Sequence, residues 1–446
     1  MERFLRIKLD IKLEFSILVK CLCFLLLLGV FYFSINPVLQ AVEIEQNVKE
    51  ECFESQTRCE QISNWIANKK AQSQQVVNFF AWGGDPNINA YLQWVAGELY
   101  QQYGITFNHI KIASTTEAVT LITAEGVKPN SKPSGSVDLI WINGKNFSLL
   151  QGANLLQGGW VSQLPNYQWL NSRNRPYLLK DFGLDTQGYE MPWGQANLVF
   201  FYNAKHINND DLPDTPDSLL AFSKKYKGRF AYPRPTDFVG VSFLKQTLSQ
   251  LKPLENGFHE PVNPDTFETL TKPLWDYLGQ LHPYLYQEGQ YFANSNTALL
   301  RLFDDELILL GVTFSPNSIL GSKLRFDLPS SVGLHAMKSG SLSNVHFLAI
   351  PAFAANPDAA QITANFLLSP KAQAKKADIN GWGDQTVLDV NFFNTEIGQL
   401  FNNNPASILT VDKHLEEFHP SWDSALIDAW QIRFGQHSFV DTPKDE

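Results

Sequence analysis

From Val76 onward the chain alternates short apolar runs with helical stripes, and that alternation restricts the fold more than any other feature. "VVNFFAW" closes on Gly83, Gly84, Asp85 and Pro86, and "NINAYLQWVAGELYQQYG" then puts Ile88, Tyr91, Leu92, Val95 and Leu99 on one helical face ending at Gly104. Asp85 is placed as N-cap, with Pro86 at the first helical position. "ITFNHIKIAS" reads as a strand, "TTEAVTLITAEG" as a helix and "SVDLIWING" as a third strand. Strand and helix alternating at this spacing predict an α/β fold with a largely parallel sheet covered by helices. In such sheets ligands bind beyond the carboxyl ends of the strands. Those ends carry Trp82, Gly83, Gly84 and Asp85 after the first strand, and Trp141, Asn143 and Asn146 after the third.

The pattern then repeats. "MPWGQANLVFFYN" holds Trp193 and Gly194 ahead of an apolar run, Thr215 caps a helix opened by Pro216, Gly228 ends it, and "RFAYP" resumes as strand. "TDFVGVSFLKQTLSQL" starts a helix capped by Thr236 or Asp237, and "ELILLGVTFSPNSI" runs a strand into a Ser-Pro-Asn turn. "VHFLAIPAFAANPDAAQITANFLLSPKAQ" returns to strand and helix, with Asn356 as cap. At 446 residues the chain exceeds what one core serves. The expected division is 76–197 with 345–446 as a discontinuous first lobe and 198–344 as a second, so the chain crosses twice and makes a hinge.

The N-terminus is a different kind of sequence. Residues 1–41 begin with basic residues and continue in the uncharged run Cys21–Ile35, too short for a comfortable membrane span and suited to the apolar part of a secretory signal. Cleavage is placed after Ala41, although Leu39 is a poor match to the small residue expected there, which leaves an uncleaved anchor as the alternative. No lipid anchor is expected, because neither Cys21 nor Cys23 follows small residues. Residues 42–75 read as a polar N-terminal extension carrying Cys52 and Cys59, a candidate disulfide in an oxidising compartment. On one continuous helix their separation would rise about 10.5 Å, so a bridge needs a turn between them. Two free thiols fit the spacing equally.

Several chemistries lack their signatures. There is no Gly-rich loop ending in Gly-Lys-Ser/Thr, "GGDPNI" lacks the dinucleotide-binding spacing, and neither Gly-x-Ser-x-Gly nor His-Glu-x-x-His occurs. A net charge of −10 with scattered lysines and arginines argues against nucleic acid. No catalytic residue, metal or cofactor is expected. A secreted hydrolase using the same cleft is the alternative, and it would need a nucleophile and base assembled from distant residues.

The segments "FFAWGGDPNINAYLQW", "GSVDLIWINGKNF", "MPWGQANLVFFYN", "FAYPRPTDFVGVSFL", "GVTFSP" and "ANFLLSPKAQ" resemble periplasmic solute-binding proteins of ABC importers, the family 1 extracellular type, and within it the YnjB-like subgroup. The resemblance spans about 74–445. It implies a two-lobed type II periplasmic-binding-protein fold with a two-strand hinge, closing on a small solute and presenting it to an inner-membrane permease. Hinge closure requires no partner subunit, so a monomer is expected, and the expected solute is small and polar or cationic. The resemblance also implies a site between strand-end loops of one lobe and helix starts of the other, which adds Asp237, Phe238, Gly240, Ser315 and Asn317 to the candidates. Each has a plainer role: Gly83, Gly84 and Asp85 as a capping turn, Asn143 and Asn146 as turn formers, the tryptophans as core. Tyr202 and Tyr232 are expected to pack. Aspartates beside tryptophans suit an organic cation, whereas aspartates used as caps shift the expectation toward an anion at helix N-termini. The sequence has no adjacent tyrosine pair of the kind that ferric-ion binders carry.

Overall fold

The computed structural model describes residues 56–70, 76–126, 135–252, 257–324, 327–393, 395–401, 411 and 413–435. In chain order the elements used below are α1 (Gln56–Lys70), β1 (Val76–Trp82), α2 (Pro86–Tyr103), β2 (Thr106–Ile112), α3 (Thr115–Gly126), β3 (Leu139–Ile142), α4 (Lys145–Gly152), β4 (Glu190–Asn197) and β5 (Val199–Asn203). They continue as α5 (Pro216–Lys225), α6 (Phe238–Leu251), α7 (Pro264–Leu281), α8 (Asn296–Asp304), β6 (Leu310–Thr313), α9 (Pro316–Leu324), β7 (Val332–His335) and β8 (Ser341–Ala349). The last are α10 (Pro357–Leu367), α11 (Pro370–Ala377), β9 (His414–Leu415) and α12 (Ser421–Phe434).

Two apolar cores account for the two lobes. The first gathers β1, β2 and β3 with the faces of α2, α3 and α10, and the second gathers β5 and β6 with α6, α7 and α8. In the first sheet, ordered β9-β8-β3-β1-β2, β1 pairs in parallel with β2 and β3, as the alternating pattern requires. The return strand β8 runs antiparallel to β3 and to β4 and parallel to the short β9, so the sheet is mixed rather than largely parallel. The second sheet, β6-β5-β7, is wholly antiparallel. "RFAYP" forms no strand there and contributes a single bridge, Phe230 to Leu310, because Pro233 ends its ability to donate into a ladder.

β4 and β5 meet at Leu198, whose N–H donates to the Leu342 carbonyl at 2.9 Å. Leu198 and Leu342 belong to the second core, while Val345 and Phe347 of the same strand β8 belong to the first. The antiparallel pair β4–β8 therefore carries the chain out and back as a two-strand hinge. Asp138, buried just before β3, ties the first lobe together by accepting the N–H of Asn78 at 2.9 Å and that of Asn356 at 2.8 Å. Asn356 does precede α10, but its side chain caps nothing and bonds Asp138 instead.

The C-terminal segment departs from the expected division. Leu415, Phe418, Trp422, Leu426 and Trp430 pack in the second core, so the chain crosses a third time: β9 hydrogen-bonds to the edge of β8, but the side chains from Leu415 onward belong to the second lobe. The reason is the apolar stripe Trp422, Leu426, Ala429, Trp430 on α12, which fills a gap beside α6, and the Trp430 indole N–H donates to Tyr232 Oη at 3.0 Å. The extension before β1 is partly structured as well. α1 lies on α10, with Ile66 in the first core and Arg58 donating to the Pro165 carbonyl at 3.0 Å. Cys59 is buried and disulfide-bonded, whereas Cys52, the signal segment and the cleavage site lie outside the described residues. No helix among the described residues is long and apolar enough to cross a membrane.

Within the second core Tyr232 Oη meets His282 Nε2 at 2.8 Å. Burial pushes the His282 ring down to about 3. Because the unfolded chain takes that proton near its ordinary value and the folded one does not, the buried ring should cost stability as the pH falls from about 6.5, by up to about 1.4 kcal/mol per pH unit. Urea unfolding of His282→Gln against wild type, at neutral pH and near pH 4.5, should show a distinctly shallower acid loss in the variant.

Candidate functional site

Where β1 ends, Asp85 adopts extended backbone and its carboxylate accepts from Asn87 N–H at 2.6 Å and Ile88 N–H at 3.3 Å, capping α2. The paired glycines have packing reasons. A Cβ on Gly84 would lie 2.5 Å from the Trp82 indole, and one on Gly83 would lie 2.7 Å from the Lys111 side chain. The turn thus brings the Trp82 indole against the backbone of Gly84, and Trp82 remains 44% exposed. At the end of β3, Gly144 has φ +57° and donates its N–H to Asp181 at 2.5 Å, leaving Asn143 and Asn146 half-buried on either side.

Asp237 caps α6, accepting from Val239 N–H at 2.8 Å, and its second oxygen accepts from Asn296 N–H at 3.3 Å. Its charge is therefore spent on two helix starts rather than turned to the cleft. Gly240 is buried because a Cβ would meet the Pro233 and Arg234 carbonyl oxygens at 2.4 Å, so its role is close packing of α6 on the preceding loop. Phe238, 43% exposed, packs against Phe314 with the ring centroids 5.1 Å apart and the planes tilted by 32°. Ser315 is exposed just before α9, whose first turn includes Asn317. Tyr202 and Tyr232 pack in the second core as expected.

The decisive feature is a pocket between the lobes, lined by Gln195, Ala196, Trp382, Asp384 and Gln385 on one side and by Phe314, Ser315 and Ser318 on the other. Behind Trp382 stands an aromatic block. Trp382 lies 5.6 Å from Trp141, 5.2 Å from Trp193 and 5.5 Å from Tyr91, and Trp141 packs edge-on to Trp193 at 5.1 Å. Trp193 itself is wholly buried, so it is the backing of this wall and not its face, a correction to its reading as a cleft residue. Gly194 is buried as well, and its lack of a side chain makes room for the polar groups beside it: a Cβ there would lie 2.0 Å from Asp384 Oδ2 and 2.1 Å from His346 Nε2.

Those groups, with Lys376, fix the loop carrying Trp382. Asp384 accepts from the Lys376 ammonium and lies 2.8 Å from His346 Nε2, with all three side chains at most a tenth exposed. Burial works against the Asp384 charge, but His346 and Lys376 outweigh it and hold the carboxyl below its ordinary value. Burial pushes Lys376 down despite Asp384, and its ammonium sits 5.4 Å over the Trp382 ring. Gln195 and Gln385 complete the wall, with Gln195 N–H donating to the Gln385 carbonyl at 3.3 Å. The surface offered to a solute is thus aromatic and amide-lined, over a carboxylate already paired.

Of the residues expected from sequence, Ser315 lines this pocket, and Trp141, Trp193, Gly194 and Phe238 stand immediately behind it or beside it. The turn Trp82–Asp85 lies at the neighbouring strand end and is not part of its lining. Trp382, Asp384, Gln195, His346 and Lys376 were missed. "INGWGDQ" repeats the Trp-Gly pairing of 82–83 and 193–194, and that repetition is the signal that could have found it.

The hydrolase alternative finds no nucleophile and base in this pocket among the described residues, and the pair His419 Nδ1–Ser421 Oγ at 2.9 Å lies outside its lining. Ser343 Oγ does lie 2.7 Å from His414 Nδ1, but Ser343 is in the middle of β8, its hydroxyl also meets Asn197 Oδ1 at 2.7 Å, and the other face of His414 stacks on Tyr177. Burial and then Arg175 push the His414 ring down, which weakens it as a base, and no carboxylate pairs with it among the described residues.

Residues 94–387 match the family model described as bacterial extracellular solute-binding protein. The chain belongs to the bacterial extracellular solute-binding proteins. It is 40% identical over 376 residues to Protein YnjB of Escherichia coli (strain K12), covering 84% of this chain and 95% of that one. Among solved structures it resembles a putative extracellular solute-binding protein from Bordetella parapertussis, with TM-score 0.61 and 12% identity over 81% of this chain and 99% of the other. It likewise resembles the spermidine/putrescine ABC transporter substrate-binding protein PotD from Streptococcus pneumoniae, with TM-score 0.57 and 15% identity over 82% and 99%. At these identities the two structures speak to the fold alone.

Proposed function

We propose that this solute-binding protein works outside the inner membrane, closing as a single chain on a small polar or cationic solute and handing it to an ABC-type permease without covalent chemistry. The observation that carries the reading is the pocket walled by Trp382 and Gln385 from one lobe and by Phe314 and Ser315 from the other. An aromatic wall with a few polar groups is how small-molecule clefts recognise their ligands. A site divided between lobes binds only as they close, which converts occupancy into a shape a permease can read. The likeness to proteins described as ABC transporter components supports the permease as partner.

Native mass spectrometry of protein purified from its own periplasm should reveal one stoichiometric solute. Trp382→Ala should lower the affinity for that solute by about a hundredfold, since losing an aromatic wall in a desolvated pocket costs about 2–4 kcal/mol. Unchanged affinity in Trp382→Ala, with the solute identified, would move the site elsewhere in the cleft.

A further inference from the structure

On the other flank of the hinge lies a set of buried carboxylates that solute capture does not use. Asp181 precedes Phe182 in a short hairpin of the first lobe, Glu190 opens β4, and Glu417 follows β9 among residues of the second core. All three are at most 5% exposed. We propose that lobe closure takes up protons on this cluster, so that the pH of the surroundings sets the balance between open and closed receptor.

The cluster is built across the interface. Lys245 of α6, in the second lobe, reaches Glu417 at 2.6 Å and Asp423 of α12 at 2.9 Å, and its ammonium sits 4.9 Å over the ring of Phe182 from the first lobe. Four carboxylates thus share one ammonium. The remaining groups facing them do not repair the imbalance. The Gly144 N–H donates to Asp181 Oδ2, Asn344 is neutral, and Lys180 and His259 are both directed to Glu416, at 3.1 Å and 3.4 Å. Asp181 Oδ1 and both oxygens of Glu190 have no hydrogen-bond partner among the described residues. A buried carboxylate in that condition is far more stable with its proton on.

Burial pushes Asp181 well above the ordinary carboxylate range, and the charge of Glu417 pushes it further. Burial and then Asp181 do the same to Glu190, and burial outweighs Lys245 to raise Glu417. When the lobes part, Glu417 moves away from Asp181 and water reaches both, so their proton affinities relax toward ordinary values. The closed form therefore binds more protons than the open one. Acid favours closure, and closure weakens as the pH rises from the ordinary carboxylate range through the raised values. Each proton so coupled changes the closed-to-open ratio about tenfold per pH unit inside that window.

This coupling rests on the receptor reading only in taking closure as the working motion. Small-angle X-ray scattering of the solute-free protein between about pH 5 and about pH 8 tests it. The radius of gyration should grow with pH in wild type and stay compact throughout in Asp181→Asn/Glu417→Gln. Glu417→Gln alone, which keeps the Lys245–Asp423 pair, should flatten the response partly and serves if the double variant fails to fold. A wild-type radius that does not change with pH, or variants that keep the full response, would overturn the coupling. Either result leaves solute binding, and so the receptor reading, untouched.

Discussion

Asp384→Ala is expected to cost about 3–5 kcal/mol of folding stability, because it leaves the Lys376 ammonium in a buried site without its counter-ion. Lys376 has no exposed side-chain surface, and its other polar contact is the Gln385 carbonyl at 3.1 Å. The same loop carries Trp382, so solute affinity should fall together with stability. Asp384→Asn keeps the shape and one acceptor and should lie between wild type and alanine. The sign with pH follows from the depressed carboxyl. Its stabilisation is fully present above the ordinary carboxylate value and is lost as the pH falls through the lower value it has in the folded protein. Guanidinium unfolding at neutral pH and near pH 3 should therefore show the gap between wild type and Asp384→Ala closing in acid. A gap that is small at neutral pH would mean that Lys376 finds another partner or sheds its proton at little cost.

The parts of the fold that could be read from the sequence are those set by local pattern. The strand, cap and helix from Val76 to Tyr103 follow from alternation, Asp85 and Pro86, and they form as expected. The direction of β8 could not be read so, because an apolar run is the same run whether its neighbour lies parallel or antiparallel. The destination of α12 was hidden for a related reason. Its stripe announces that Trp422 and Trp430 will be buried but not in which of two cores. At the site, Trp141 and Trp193 do come together, but their order in depth is tertiary. Trp193 became backing and Trp382 the face only once β4, β8 and the loop after α11 were laid side by side. Asp237 and Gly240 show the opposite limit, since residues at helix starts look alike whether they serve a ligand or the helix itself.

Lys245→Met is the second change expected to have a large effect, and it acts at the hinge rather than at the pocket. The lysine is wholly buried. Burial works against its charge, but Asp423 and Glu417 outweigh it and hold its proton above the ordinary lysine value. Removing it strands Glu417, already near Asp181, without any counter-charge, which should cost about 3–5 kcal/mol at neutral pH. Asp423 is partly exposed and can turn to water, so most of the loss belongs to Glu417. Since a protonated carboxyl no longer needs the ammonium, the penalty should shrink as the pH falls through the raised carboxyl values. Adding Glu417→Leu to Lys245→Met should restore much of the stability at neutral pH, because well-packed apolar groups commonly replace a buried ion pair without loss. Equilibrium unfolding of wild type, Lys245→Met and the double variant at two pH values measures these differences. A single-variant loss independent of pH would assign the lysine's contribution to its packing against Phe182 and Phe238 rather than to its charge.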